Sequence, residues 1–405
     1  MQARQWAIKV IEKLQEAGFQ ALLAGGCVRD GLLEIDPKDF DVATMATPSE
    51  VQELFGHKKT LAIGKSFGVI TIIGPKSAGN IEVATFRRDG GYSDGRRPDS
   101  VEFTDAREDA LRRDFTINGM FFDPVSEEVI DFVGGRADLD RKLIRAIGDP
   151  DKRIEEDRLR MLRGVRFAAT YDFQIEASTM VAIQKHAADI GDVSPERIGT
   201  ELRKMLSHRN KSIALERLIE SGLWAQVLPS EIQATGDWNR QVEILKQLDA
   251  DFPTTLAAIL RGSGFKAKSL QSLWRLTNEE VSKADWILTN ETQLARATTL
   301  PWSELQPLLI SPHATSAVTL LQSLIDAGEN MEQLQPSVAV CRQKLSLQKG
   351  ELNPAPLVAG DDLMALGISP GPQFKQILDE VRKRQLDGEL ADSDAARKWI
   401  VESFK

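Results

Sequence analysis

The 405-residue chain carries 60 acidic and 51 basic residues, and its net charge of −9 argues against indiscriminate nucleic-acid binding, which needs an excess of Lys and Arg. No apolar run approaches the roughly 20 residues that span a bilayer, so we expect no membrane segment and a cytoplasmic location. The length predicts two to four structural units. Cys27 and Cys341 lie far apart, so neither a disulfide framework nor a cysteine zinc site is indicated.

The N-terminal region predicts a helix followed by a phosphate site. Apolar residues recur at helical spacing up to Leu14, and Gly18 follows the predicted helix end. A short apolar strand then runs into the pair Gly25-Gly26. Glycines let backbone N–H groups approach an anion closely, and Arg29 can add a charge-assisted contact.

A second strand is expected from Asp39 to Val42, followed by a helix whose capping box begins at Thr47. Asp39 and Asp41 are two residues apart, so strand alternation places both carboxylates on one face, close enough to share divalent cations. Two-metal phosphoryl transfer requires such a platform. Glu82, on a strand predicted from Ile81 to Phe86, is the candidate third carboxylate. Solvated carboxylates at a strand end are the alternative for the Asp39/Asp41 pair, and a surface glutamate on an edge strand is the alternative for Glu82.

A second group of polar residues follows at Arg112 and Arg113, with Asp114 and Asn118 close behind. Two adjacent arginines cannot both point into a core. Arginine suits phosphate oxygens, whereas Asp and Asn suit ribose hydroxyls. A capped helix start with Arg112 in solvent is the alternative.

Beyond Gly134-Gly135 the apolar pattern changes to a helical period, which predicts that the last two thirds of the chain are all helical. On one continuous helix, Asp157 and Arg160 lie one turn apart, and Arg163 and Arg166 continue at the same three-residue step. An Asp/Arg pair offers an acceptor and donors together, as a Watson–Crick edge requires. A salt-bridged surface helix is the alternative.

Five stretches of the sequence resemble, in order and spacing, the motifs of class II tRNA nucleotidyltransferases and the related bacterial poly(A) polymerases. They are GGCVRD with DFDVAT, RRDFTINGMFFDP, DFVGGRADLD, IEEDRLRMLRGVRF and SPERIGTELRKML. The ending LVAGDDLMALGISPGPQFKQIL also looks like the tail of many bacterial members. The resemblance implies an α+β, polymerase-beta-like nucleotidyltransferase head with a mixed sheet, followed by an all-α neck, body and tail. The expected bounds are 1–135 for the head, 136–205 for the neck, 206–350 for the body and 351–405 for an RNA-binding tail.

The resemblance also implies a role for each matching residue. The implied ligands of two Mg²⁺ ions are Asp39 and Asp41, with Glu82 as a third catalytic carboxylate. The residues implied for the triphosphate are Gly25, Gly26, Arg29 and Asp30. Those implied for the sugar and phosphates are Arg113, Asp114 and Asn118. Those implied for the base of an incoming CTP or ATP are Asp157 and Arg160, with Arg163 and Arg166 on the same face. A neck-supporting helix is implied for Glu196 and Arg197.

The segment from 87 to 101 fits the flexible loop of this family. It contains Gly90-Gly91 for hinge freedom and, as groups to bring to nucleotide or RNA, Arg87, Arg88, Arg96 and Arg97. In the family such a loop is associated with addition of the terminal A, which argues against an enzyme restricted to CC addition. An ordinary exposed loop is the alternative.

The segment Gly64-Lys65-Ser66-Phe67 helps to distinguish a tRNA nucleotidyltransferase from a bacterial poly(A) polymerase. Bacterial poly(A) polymerases usually have two basic residues after this glycine, so the serine favours the tRNA enzyme. The expected activity is template-independent addition of CCA, or of only the terminal A, from CTP and ATP. The expected partner is the tRNA acceptor arm, and no DNA is expected. A poly(A) polymerase and a catalytically silent RNA-binding adaptor are the alternatives, although an adaptor would not need the three carboxylates together.

Basic residues between 203 and 211 are candidates for an RNA-facing surface or for a solvated helix end. They are Arg203, Lys204, His208, Arg209 and Lys211.

Overall fold

A computed structural model describes residues 2–91, 99–329 and 331–404 of the chain. The chain divides into two compact units, one of Met1–Met205 with Ile213–Pro229 and one of Leu206–Ser212 with Ser230–Lys405. The finer division into head, neck, body and tail stays a prediction.

The strands of the described residues lie in the first unit. They are β1 Ala21–Ala24, β2 Asp41–Thr44, β3 Thr60–Leu61, β4 Val69–Ile72, β5 Ile81–Thr85, β6 Arg87–Asp89, β7 Val101–Phe103, β8 Met120–Asp123, β9 Glu128–Asp131, β10 Leu143–Ile144 and β11 Gln174–Ile175. Seven of them form a sheet in the order β3-β4-β5-β2-β1-β8-β9. Strands β2 and β5 run parallel and the other neighbours antiparallel, so the predicted mixed sheet is confirmed.

Helices surround this sheet and continue beyond it. They are α1 Ala3–Glu16, α2 Gly26–Leu32, α3 Pro48–Phe55, α4 Ala106–Leu111, α5 Gly135–Asp140, α6 Pro150–Glu156, α7 Arg160–Tyr171, α8 Ala177–His186, α9 Pro195–Leu206, α10 Lys211–Glu220 and α11 Trp224–Val227. Helix α3 begins at the predicted capping box, because Thr47 and Glu50 exchange backbone and side-chain hydrogen bonds.

The two faces of the sheet belong to different cores. Leu23 and Val42 pack with residues of α1 and α3. Leu22 and Ala43 alternate with them and pack against α4 on the other face. Because side chains alternate along a strand, Asp41 shares the face of Ala43. The α4 face of the sheet therefore carries the predicted metal ligand.

The described part of the second unit is helical. Its helices are α12 Ser230–Gln233, α13 Trp238–Gln247, α14 Phe252–Leu260, α15 Gln271–Trp274, α16 Asn278–Leu294, α17 Trp302–Leu309, α18 Ala314–Asp326, α19 Met331–Leu345, α20 Lys349–Leu352, α21 Gly360–Ala365, α22 Pro372–Leu386 and α23 Ser393–Phe404. The last three helices share a small core around Leu363, Ile377 and Ile400.

The prediction that the last two thirds of the chain are all helical is wrong at one place. Strands β10 and β11 pair in parallel, with Leu143 opposite Gln174 and Ile144 opposite Ile175. Ile144 and the neighbouring Phe173 are buried, which anchors this bridge. Two-residue strands are too short to show the alternation that identifies a strand in a sequence.

No single helix among the described residues has the length and apolar character needed to cross a membrane. By length and composition alone, α17 and α18 pass this test together, with a bend of 102° between them.

Lys211 is neither part of an RNA-facing surface nor a solvated helix end, contrary to both interpretations of the sequence. Its side chain is buried, and Nζ donates to the carbonyls of Leu248 at 2.8 Å and Ala250 at 3.1 Å. Burial lowers the pKa of Lys211. The lysine therefore satisfies carbonyl groups beyond the end of α13.

His186 at the end of α8 lies between two carboxylates. Its Nε2 is 2.8 Å from Asp151 of α6, and its Nδ1 is 2.9 Å from Asp189. Burial alone would lower the pKa of His186, but the two hydrogen-bonded carboxylates outweigh burial and raise it. The protonated imidazole, which donates to both, is therefore favoured in the folded state.

Replacing His186 with glutamine is expected to lower the free energy of unfolding by about 1 kcal/mol at pH 6 and by less at pH 9. The contribution of a raised pKa is complete below the unfolded value and is lost as the pH rises through the folded value. Urea unfolding of both proteins at the two pH values measures this difference. Lys185→Gln, at an exposed neighbour that also bonds Asp151, serves as the control because lysine keeps its charge over this range. An equal loss at both pH values for His186→Gln would contradict the prediction.

Candidate active site

Two of the predicted carboxylates lie opposite each other on neighbouring strands. Strands β2 and β5 are parallel, and Asp41 is in register with Glu82, so both side chains share the α4 face. The predicted strand start at Asp39 is wrong, because β2 begins at Asp41. Its partner β1 ends at Ala24, opposite Asp41, so no ladder position remains for Asp39.

Electrostatic repulsion couples the three carboxylates. Partial burial in the pocket raises the pKa of Asp41, the neighbouring Glu82 and Asp39 raise it further, and Arg113 opposes them. A cation bound between such groups would relieve this repulsion. No group of three or more His, Cys, Asp or Glu in the described ranges is arranged to hold a metal. Mg²⁺ commonly takes only one or two protein carboxylates and completes its shell with substrate phosphates and water, which Asp39 and Asp41 fit.

Gly25 is required by the backbone at the end of β1. Its φ of +69° lies in the left-handed region, and a Cβ there would stand 2.8 Å from Arg113 Nη1. The N–H of Gly25 donates to the carbonyl of Met120, so this donor already has a protein partner. Gly26 then begins α2, which carries Arg29 and Asp30.

Arg29 is almost fully buried beneath the glycine pair. Its Nη1 donates to Asn118 Oδ1, and its Nε and Nη2 donate to Asp30 Oδ1 at 2.9 and 2.7 Å. Arg29 lines the pocket, whereas Asp30 does not. The guanidinium thus presents positive charge to the site while an adjacent carboxylate holds it.

Arg112 and Arg113 are both held by one buried acid, Asp109 of α4. Asp109 Oδ1 accepts from Arg112 at 2.7 Å, and Oδ2 accepts from Arg113 at 2.9 Å. Burial opposes ionisation of Asp109, but Arg113 and Arg112 outweigh burial and lower its pKa. The alternative with Arg112 in solvent is therefore wrong, since its side chain also pairs with Asp89.

Asp114 and Asn118 form a buried hydrogen-bonded chain that reaches α7. Asn118 Nδ2 donates to Asp114 Oδ1 at 3.1 Å, and Arg163 donates Nε and Nη2 to Asp114 Oδ2 at 2.8 and 2.6 Å. Burial would raise the pKa of Asp114, but the charge of Arg163 and these hydrogen bonds lower it to about 2. Asp114 is therefore ionised at neutral pH.

Asp157 does not lie on a continuous helix with Arg160, which corrects the sequence interpretation. Helix α6 ends at Glu156, Asp157 adopts an extended conformation, and α7 begins at Arg160. Arg197 of α9 donates to both carboxylate oxygens of Asp157, at 3.1 and 2.7 Å, and the N–H of Leu159 donates to Oδ1. These hydrogen bonds stabilise a break that helix periodicity does not reveal.

The arginines of α7 are each fixed by an acid. Arg160 donates to Glu156 at 2.5 Å and to the carbonyls of Arg153 and Arg112, and Arg166 donates to the buried Glu201. The predicted three-residue step from Arg160 to Arg166 is confirmed by the helix. Ion pairs of this kind orient the guanidinium groups and leave other N–H donors for a ligand.

A polar pocket of about 710 Å³ brings most of the predicted residues together. It is lined by Gly25, Gly26, Arg29, Asp39, Asp41, Arg87, Asp89, Arg112, Arg113, Asp114, Asn118, Asp157, Arg160, Arg163, Arg166, Phe167 and Lys204. Glu82 stands beside this pocket rather than in its lining. The volume and the positive lining suit a nucleoside triphosphate.

The two ends of the predicted flexible loop lie on β6 and β7, which pair antiparallel. Arg87 of β6 pairs in register with Phe103 of β7, and the exposed Arg88 forms an ion pair with Glu102 at 2.6 Å. Arg87 lines the pocket. Arg96 and Arg97 lie outside the described residues, so their role stays a prediction.

Sequence reasoning missed several residues that hold the site together, among them Asp109, Glu156 and Tyr171. Asp109 stands three and four positions before the two arginines it bonds, and Glu156 stands four before Arg160, which are recognisable helical spacings. Tyr171 bonds Asp30, 141 positions earlier, and no local spacing signals this contact.

Comparison with known proteins gives family matches and relatives. A family model described as "Poly A polymerase head domain" matches residues 21–145, and one described as "Probable RNA and SrmB- binding site of polymerase A" matches residues 172–233. The CCA-adding enzyme of Enterococcus faecalis is 32% identical over 393 residues, which cover 95% of this chain and 92% of the relative. That of Lactococcus lactis subsp. lactis is 33% identical over 397 residues, or 96% and 94%.

A solved structure with the same fold is the Bacillus stearothermophilus CCA-adding enzyme in complex with CTP. It is 29% identical, its TM-score is 0.81, and the match covers 98% of this chain and 96% of that one.

Proposed function

Since this chain belongs to the family of CCA-adding enzymes, we propose that it adds C, C and A in turn to the 3′ end of tRNA, from CTP and ATP, with release of pyrophosphate. Family membership makes it a nucleotidyltransferase of tRNA processing. The observation that carries the detailed proposal is one pocket that contains the carboxylate pair, the arginines and the Asp157/Arg160 pair.

Asp39 and Asp41 would hold Mg²⁺ on the α4 face of the sheet. The fit rests on hard carboxylate oxygens and on the repulsion that Glu82 and Asp39 exert on Asp41. Bound Mg²⁺ would lower the pKa of the RNA 3′-hydroxyl and balance the charge of the triphosphate. The hydroxyl then attacks the α-phosphate in line, and the bond to pyrophosphate breaks.

Arg29 and Arg113 would bind the triphosphate. Both line the pocket beside the glycine pair, and each is held by an acid behind it, Asp30 or Asp109. A held guanidinium presents its remaining donors in a fixed fork that matches phosphate oxygens. Asn118 and Asp114, between these arginines and α7, would line the ribose.

Asp157 and Arg160 would choose the base. Asp157 accepts, so it pairs with the exocyclic amino group shared by cytosine and adenine, and Arg160 donates to the ring acceptor beside it. Arg197 and Glu156 hold these side chains in place. The protein would thus supply the edge that a nucleic-acid template supplies in other polymerases.

The helical remainder would grip the acceptor arm of tRNA through phosphate contacts and shape, as is usual for double-stranded RNA. Lys204, at the pocket, and Arg203 are the basic residues of α9 on which we base this proposal.

The test compares two acceptors with ATP as the sole nucleotide. A tRNA ending in CC should gain one nucleotide and then stop, and an unstructured RNA should gain none. Long A tails on the unstructured RNA would instead identify a poly(A) polymerase. RNA binding that does not depend on Mg²⁺, with no pyrophosphate release on any acceptor, would identify a catalytically silent RNA-binding adaptor.

A further inference from the structure

Two aromatic rings of α7 lie under the buried guanidinium of Arg29. The Cζ atom of Arg29 is 4.6 Å from the centre of the Tyr171 ring and 5.2 Å from that of Phe167. Phe167 also lies beneath Arg163 and Arg166. A buried guanidinium over aromatic faces gains cation–π stabilisation and loses rotational freedom. Helix α7 therefore limits where Arg29 can point.

Tyr171 adds a directional contact to this packing. Its hydroxyl donates to Asp30 Oδ1 at 2.9 Å, and the same oxygen accepts from Arg29 Nε and Nη2. Burial and Asp30 raise the pKa of Tyr171 to about 12, although Arg29 opposes them. The hydroxyl therefore stays protonated at neutral pH and keeps its proton for Asp30.

A continuous chain of hydrogen-bonded side chains begins and ends on α7. From Tyr171 it passes through Asp30 to Arg29, and Arg29 donates to Asn118. Asn118 donates to Asp114, which accepts from Arg163, eight residues before Tyr171. Residues eight apart lie on one helix face, so a single face of α7 holds both ends of this hydrogen-bonded chain.

The negative charge of Asp30 makes a direct contact with the triphosphate unfavourable. A carboxylate repels the phosphate oxygens it was predicted to contact, and Asp30 Oδ1 already accepts three hydrogen bonds from Arg29 and Tyr171. Asp30 does not line the pocket. It is therefore placed to act through Arg29.

We infer that Tyr171 and Asp30 are positioning residues that fix Arg29 for the triphosphate, so that α7, the helix that carries Arg160, also sets the phosphate subsite. The inference rests on the proposed function, which assigns Arg29 to the triphosphate. It predicts that loss of the Tyr171 hydroxyl weakens binding of every nucleoside triphosphate equally and leaves base choice unchanged.

The test is Tyr171→Phe, which keeps the ring under Arg29 and removes one hydroxyl. The KM for CTP and the KM for ATP should rise by the same factor, about three- to tenfold for one hydrogen bond to a charged group, with little change in kcat. Binding of CMP, which lacks the outer phosphates, should not change. A purely structural role would lower the melting temperature and weaken CTP and CMP together.

Asp30→Asn and the double variant Asp30→Asn/Tyr171→Phe complete a double-mutant cycle, which measures whether the two residues act together. If both residues act through Arg29, Asp30→Asn raises both KM values, and the added Tyr171→Phe change has a much smaller effect than in the wild type. Fully additive effects would overturn the inference.

The variant Arg29→Lys distinguishes failure of the positioning role from failure of the proposed triphosphate assignment. If Arg29→Lys raises the KM values and Tyr171→Phe leaves them unchanged, the positioning role is wrong and the proposed function stands. If Arg29→Lys also leaves them unchanged, Arg29 does not bind the triphosphate, and both the assignment and the inference fall.

Discussion

Replacing Asp41 with asparagine is expected to reduce nucleotide incorporation into tRNA by about a thousandfold, which corresponds to about 4 kcal/mol of transition-state stabilisation. The amide keeps the size of the side chain but removes the charge that a divalent cation requires. The fold should persist, because Asp41 stands at the start of β2 on the side that opens to the pocket. Single-turnover incorporation of labelled CTP measures the effect.

Thermal unfolding without divalent cations provides the second readout for Asp41→Asn. The neighbouring Glu82 and Asp39 disfavour a charge on Asp41, so the neutral variant should melt at the same temperature as the wild type or higher. Asp36→Asn, at an exposed acid a few residues earlier, is the matched control and should keep full activity. Retained activity in Asp41→Asn would remove the metal assignment, whereas a lower melting temperature would mean that the loss of activity reflects unfolding.

Replacing Asp157 with alanine is expected to lower kcat/KM for the correct base by about a hundredfold, on the order of the 1–3 kcal/mol carried by a well-formed pair to a base edge. Discrimination against UTP and GTP should fall with it, because the acceptor for the exocyclic amino group is gone. Incorporation of all four nucleotides, each supplied alone to tRNA ending before CCA or after CC, measures both quantities.

The control for Asp157→Ala is Glu155→Ala, two positions earlier on the exposed side of α6. It should change neither rate nor base choice. Because Asp157→Ala leaves Arg197 without its carboxylate, the melting temperature is measured beside the kinetics. Unchanged discrimination in a folded Asp157→Ala protein would rule out a base-choosing role for this side chain.

The sequence predicted features that depend on local spacing. Helix α3 begins at the Thr47 capping box and Glu82 lies on a strand, both as predicted. The strand alternation predicted for Asp39 and Asp41 does not apply, because β2 begins only at Asp41. The resemblance of the early motifs predicted the family, which relatives at 32% and 33% identity confirm. The individual site roles stay predictions, and the variants above test them.

Features that depend on distant partners were not predictable. The helix break at Asp157 is stabilised by Arg197, 40 residues away, and Tyr171 meets Asp30 across 141 residues. Nothing in the sequence indicated that Lys211 is buried, because its partners are the carbonyls of Leu248 and Ala250, 37 and 39 residues later in the chain. Side-chain contacts of this kind form only when the elements pack, so periodicity and composition carry no signal for them.

The measurement that tests the central claim most directly uses tRNA that ends before CCA, after C or after CC, with CTP and ATP supplied separately and together. One enzyme whose single pocket chooses the base should add two nucleotides to the shortest tRNA with CTP alone and three with both nucleotides, and then stop. Addition of A to the CC end without any addition of C would contradict full CCA addition and identify an enzyme restricted to the terminal A.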